Sequence, residues 1–218
     1  MANKDMNKQI GFFLLLTAIL TASCNRKPEK KVFGPIQPNI QARQEKTQPY
    51  VPVDQSPMDM SYFPVDYPIL KMNGSDTTAL VARVAYSRPQ KKGRPIFGDS
   101  LPSLVHYGKE WRLGANEATE IEFFRPVNIQ TITVPPGRYV MYCIPRQNEW
   151  TLILNTNLFT WGLHMEQEKD KYRFTVPVQK QEPSSDFFTM LFEPADHGAR
   201  LIMAWDDVKA ILPIRFDP

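Results

Sequence analysis

From about Leu70 onward the chain alternates. Leu80, Ala82, Val84 and Tyr86 share one side of an extended run, with Ala79, Val81, Arg83 and Ala85 on the other. Period two is the mark of a strand, because successive side chains point to opposite faces. The pattern recurs at Ile121 and Phe123 between Glu120 and Glu122, at Val127 and Ile129, and at Ile132 and Val134. Pro135-Pro136-Gly137 is a turn signal ahead of the next run, Arg138 to Ile144, so a hairpin is expected there. Trp150, Leu152 and Leu154 alternate with Thr151 and Ile153, and further strands are expected over 172–178, 187–192, 199–205 and 208–214. No stretch has a convincing helical period. Short, evenly spaced strands with turns between them predict an all-β fold: a single antiparallel β-sandwich or barrel-like domain of about nine strands.

One segment departs from the pattern. Ser87 to Ala118 shows little alternation, and structureless connections beyond about 12–15 residues are uncommon in compact domains. It carries Ile96, Phe97, Leu101, Val105, Tyr107, Trp111 and Leu113, too many apolar residues for a disordered stretch. It is expected to be one long ordered loop packed on the sheet.

The start of the chain has a different plan. Lys4 and Lys8 precede an uncharged, mostly apolar run from Ile10 to Leu20, and Thr21-Ala22-Ser23 then leads to Cys24. A basic start, a short apolar core and small residues before a cut site describe a secretory signal. The core is shorter than the roughly 20 residues of a spanning helix. A cysteine at the cut site makes it a lipoprotein signal, in which the thiol is alkylated with diacylglycerol and Cys24 becomes the acylated first residue. Leu20 stands one place earlier than such signals usually have it, with Thr21 in its position. Residues 1–23 are therefore read as the signal peptide and Cys24 as the lipidation site. The membrane is then a partner through that anchor, and the place of work is the inner or outer membrane of a bacterial cell envelope. Residues 24–55 hold Pro28, Pro35, Pro38, Pro49 and Pro52 among many Lys and Gln, without periodicity, and read as a flexible tether. Residues 56–218 are the domain.

Charge narrows the partners. The formal net charge is +3, yet residues 56–218 carry 18 Lys and Arg against 19 Asp and Glu. The positive excess belongs to the signal and tether, and the domain has no electrostatic case for nucleic acid. Of the two cysteines, lipidation of Cys24 leaves Cys143 without an intrachain partner. It shares a strand face with Tyr139 and Met141 and is expected to be buried and inert. The core must then hold the domain, which 13 Phe, 8 Tyr and 4 Trp make feasible.

The densest polar set lies in the long loop: Arg88, Lys92, Arg94, His106, Tyr107, Lys109, Trp111, Arg112, Asn116 and Glu117. Guanidinium groups give planar, paired hydrogen bonds to carboxylate or phosphate. Asn116 offers donor and acceptor together, as a hydroxyl-rich ligand needs. Trp111, Tyr107 or Trp161 can stack on a sugar face, although Trp150, Trp161 and Trp205 also read as core. The set is expected to bind a small polar or saccharide-like ligand. An alternative is a hydrolase or lyase with Glu117 as acid or base, Arg112 as charge stabiliser and His106 as a further candidate. Another is a structural or assembly module of the envelope, in which an Arg112–Glu117 strut pins the loop; in sequence a buried ion pair looks the same as a site. His106, His164 and His197 lack metal-ligand spacing, and neither a metal nor a cofactor is expected.

Several of these strings occur together in a known family. Tyr86-Ser87-Arg88-Pro89, Lys92-Gly93-Arg94 and Ile96-Phe97-Gly98 resemble a signature of the group catalogued as domain of unknown function 2911. Tyr107-Gly108-Lys109, Trp111-Arg112 and Gly114 to Thr119 agree with it, as do Ser56 to Asp59, Pro136 to Tyr139, Trp161-Gly162 and Trp205. The resemblance spans Ser56 to about Ile214. It implies a β-rich single domain of the kind commonly exported by Bacteroidetes-type bacteria, and it implies no reaction.

Overall fold

Alternation becomes sheet in the computed structural model, which describes residues 54–74 and 78–216. The expected export signal, Cys24 and the expected tether as far as Val53 lie outside the described residues. In chain order the elements are β1 (Met58–Phe63), α1 (Tyr67–Met72), β2 (Ala82–Ser87), β3 (Phe97–Gly98), β4 (Val105–His106), β5 (Glu120–Phe123), β6 (Val127–Ile129), β7 (Ile132–Val134), β8 (Gly137–Pro145), β9 (Glu149–Asn155), β10 (Asp170–Ala195) and β11 (Gly198–Arg215). Nine strands form one antiparallel sheet in the order β1-β2-β5-β8-β9-β10-β11-β6-β7, and β3 and β4 form a small parallel pair beside it. Of the two expected shapes the sandwich-like one is found: the sheet is not closed into a barrel, and β1 and β7 are its ends.

β10 makes the sheet double back. Its first part, Asp170 to Pro177, pairs with β9, and from Val178 it pairs with β11. Its far end then lies against the opposite edge strand. The Phe192 amide donates to Ser61 Oγ on β1 at 3.1 Å, and the Phe63 and Phe192 rings lie 6.3 Å apart. The core fills the space between the layers, with Val84, Tyr86, Ile121, Phe123, Met141, Cys143 and Leu152 from one side and Phe188, Met190, Leu201 and Met203 from the other.

Two expected strands are one. The runs 199–205 and 208–214 join as β11, and Asp206 explains why they read as separate. It has φ of 57°, a left-handed conformation that inserts an extra residue into a strand as a bulge. Before it the residues that join the hydrophobic core are odd-numbered, Ala199, Leu201, Met203 and Trp205; after it they are even-numbered, Val208, Ala210, Leu212 and Ile214. Likewise 172–178 and 187–192 are both in β10, across register shifts between Lys180 and Thr189. The expectation of no helix also needs correction. α1 is a single short turn with no buried residue, too brief to show a period.

The long loop is ordered and packed, as expected. Ile96, Val105, Trp111, Leu113 and Ala118 are buried. Trp111 exchanges backbone hydrogen bonds with Cys143 on β8, both 2.8 Å. Its indole meets Phe188, Trp150 and Trp205 at centroid distances of 5.0, 5.5 and 6.0 Å. One loop residue thus centres the aromatic core, and such rings contribute beyond the area they bury.

Candidate functional site

Residues Thr160 to Gly162 lie on the end of the long loop. The Ala118 amide donates to the Thr160 carbonyl at 3.2 Å, and Arg112 Nη1 donates to the Trp161 carbonyl at 3.2 Å. Gly162 allows this seat: it has φ of 75°, and a β-carbon there would stand 2.9 Å from Ala118 Cβ. The segment borders two grooves.

The first, about 410 Å³, is lined by Met58, Glu117, Glu120, Phe159 and Trp161 among others. Its rings are open to water: Phe159 is 83% exposed and Trp161 54%. Glu117 is exposed and has no hydrogen bond or ion pair among the described residues. Glu120 accepts weakly from the Phe159 amide at 3.5 Å and lies 3.7 Å from Arg138. Beyond it Arg138 also faces Glu122, which pairs with Arg83 at 2.7 Å. Cross-strand pairing therefore occupies the carboxylate further along the sheet and leaves Glu117 free.

The second groove, about 370 Å³, has Trp111 and Trp205 at its base and Arg94, Glu110, Arg112 and Leu163 around it. Glu110 accepts from Gln167 Nε2 at 2.6 Å. Arg94 is turned onto its own loop, with Nε on the Lys91 carbonyl at 3.0 Å and Nη2 on the Gln90 carbonyl at 2.6 Å. Burial lowers the pKa of Arg112 from its ordinary value.

The polar set read from the sequence is thus spread over several places. Arg94, Trp111 and Arg112 share one groove, and Glu117 opens into the other. No ion pair joins Arg112 to Glu117 among the described residues. The struts are elsewhere. Arg88 bonds Asp59 on β1 at 3.1 Å and Thr189 on β10 at 3.2 Å, while its Nε is buried without a partner. Asn116 Nδ2 donates to the Asp54 carboxylate and to the Ser56 carbonyl, and Lys92 Nζ to Gln55 Oε1, so both hold the segment 54–56 ahead of β1. Tyr107, His106 and Lys109 line neither groove; burial raises the Tyr107 pKa. Cys143 is fully buried, which pushes its thiol pKa up.

Sequence reasoning missed Phe159 and Glu120, and it read Trp161 both as a ring that can stack on a sugar and as one of the core tryptophans. Trp150 and Trp205 are buried, but Trp161 is not. A signal existed: Phe159, Trp161 and Leu163 alternate in a stretch outside every expected strand, where a core role has no sheet to support it.

The pattern of the family described as Protein of unknown function (DUF2911) matches residues 71–214. The chain belongs to this family. The matched span takes in both the long DUF2911 loop and the Thr160–Gly162 seat, while Ser56 to Asp59 lie ahead of it. No curated protein and no solved structure matches the chain.

Proposed function

We propose that this protein is an envelope lipoprotein, anchored through Cys24, whose DUF2911 domain binds a small hydroxyl-rich, saccharide-like ligand in the groove of Glu117, Glu120, Phe159 and Trp161. One observation carries the reading: two aromatic rings stand open to water beside a carboxylate that has no partner among the described residues. Exposed rings adjoining a groove mark binding surfaces, and an open aromatic face can pack on the apolar face of a sugar ring. A free carboxylate accepts hydrogen bonds from hydroxyls, and charge-assisted bonds are the stronger kind. The groove volume of about 410 Å³ falls within the roughly 300–1,000 Å³ of small-ligand sites. The hydrolase or lyase alternative has less support, since Arg112 and Glu117 line different grooves. The structural-module alternative draws on Arg88, Lys92 and Asn116, whose hydrogen bonds are to other parts of the protein.

The test is titration of the purified protein with gluco-, xylo- and N-acetylglucosamine oligosaccharides, followed by tryptophan fluorescence. At least one series should give a saturable change. Glu117→Gln should weaken binding about tenfold or more, the worth of one hydrogen bond to a charged group, and Trp161→Ala should weaken it several-fold through the packing area lost with the ring. Undiminished affinity in both variants, or no saturable response to any series, would overturn the proposal.

A further inference from the structure

Arg112 is a cation without a counter-ion. Its one hydrogen bond is to the Trp161 carbonyl, and none of the ion pairs among the described residues includes it. It is partly buried, and burial disfavours its charged form. The carboxylate lining the same groove, Glu110, accepts from Gln167 and forms no ion pair with Arg112 among the described residues. A second guanidinium, Arg94, lines the same groove with its Nη1 uncommitted. Beneath them Trp111 and Trp205 stack at 6.0 Å with 20° between their planes. An apolar base lowers the local dielectric and strengthens any ion pair formed above it.

We propose that this groove is an anion subsite, in which Arg112, with Arg94 beside it, takes the carboxylate or phosphate of an acidic saccharide. A guanidinium meets either group through paired hydrogen bonds. Thr160 and Trp161 line the first groove and Gly162 and Leu163 the second, and Arg112 bonds the Trp161 carbonyl, so in this proposal the sugar ring of the ligand lies against Trp161 while its acid group extends to Arg112. The sugar half rests on the reading given above; the anion half stands on Arg112 alone. Glu117 and Glu120 line the other groove and therefore oppose an acid placed there, which gives the ligand one orientation.

The experiment is calorimetric titration of the full-length protein in detergent with three probes: methyl glucoside, methyl glucuronide and a glucose phosphate ester. The acids should bind about tenfold or more tighter than the neutral glucoside. Arg112→Ala should remove that excess, so that acid and neutral probes bind alike whatever the loss of its bond to the Trp161 carbonyl does to both, and Arg112→Lys should keep part of it. Whether glucuronide or phosphate gains more identifies the acid group. Equal affinity for acid and neutral sugar, with both lost in Trp161→Ala, overturns the subsite and leaves the saccharide reading. Acid preference that survives Arg112→Ala overturns it as well. Acid binding that needs Arg112 and ignores Trp161→Ala keeps the subsite and removes the saccharide groove. Should Arg112→Ala not fold, wild-type protein decides alone. Raising salt from about 0.05 M to about 0.5 M should weaken acid binding and spare neutral binding, because screening acts on charges. A flat salt response, or no binding of any probe, overturns the subsite.

Discussion

Gly162 sits against Ala118 so closely that a β-carbon on the glycine would come within 2.9 Å of the Ala118 Cβ, and within 3.1 Å of Arg112 Cβ. That contact fixes the exposed Phe159–Leu163 stretch to the long loop. Gly162→Ala should break it, both by crowding and because φ of 75° is unfavourable for a residue with a side chain. We expect a stability loss of about 1–3 kcal/mol. The Ala118 amide, which donates to Thr160, should exchange with solvent deuterium markedly faster. Unchanged Ala118 exchange would show that the seat does not depend on the glycine.

The tryptophans should separate by role. Trp111→Ala removes the centre of the aromatic cluster and should cost about 3–5 kcal/mol. Trp161→Ala deletes a ring that is 54% exposed and should stay within about 0.5 kcal/mol of wild type. Paired denaturant melts check this. A large loss at Trp161 would assign it to the fold and take it out of the site.

Asn116 has φ of 58° and bonds the Asp54 carboxylate and the Ser56 carbonyl. Asn116→Gly tolerates the backbone angle and deletes only the side chain. Residues 54–57 should then lose exchange protection, and limited proteolysis should cut closer to β1. A cleavage pattern identical to wild type would mean that Asn116 does not hold the tether root.

Cys24→Ala should abolish labelling by radioactive palmitate and leave uncleaved precursor or protein released from membranes. Equal label in wild type and variant would remove the lipoprotein reading.

How much of this was legible follows from what each residue faces. β2, β5, β8 and β9 could be read because one of their faces meets the core, and alternation records that asymmetry. β11 looked like two strands because Asp206 shifts the parity of burial halfway along. β1 was missed because Met58 and Met60 are exposed on an end strand, so its apolar residues do not sort by face. The long loop was recognised as packed from its aromatic content, and Trp111 shows why. The site was legible only in part. Arg112 and Glu117 were named, but their separation into two grooves depends on a glycine 50 residues further on, and no local pattern encodes a contact between distant segments. Arg88, Lys92 and Asn116 looked like ligand groups because a charged or amide side chain reads the same whether its partner is a ligand or another part of the chain.

Cys143 lies fully buried in β8, backbone-bonded to Trp111 and paired in register with Leu152. No reagent can reach its sulfur until that part of the sheet opens. The thiol is therefore a built-in clock. With Cys24 acylated or replaced, the rate at which a maleimide labels the native protein equals the opening equilibrium multiplied by the intrinsic reactivity, provided closing outpaces the chemistry. The free energy of the opening that exposes β8, and its change in every variant proposed above, can thus be read from one native atom under native conditions and without denaturant.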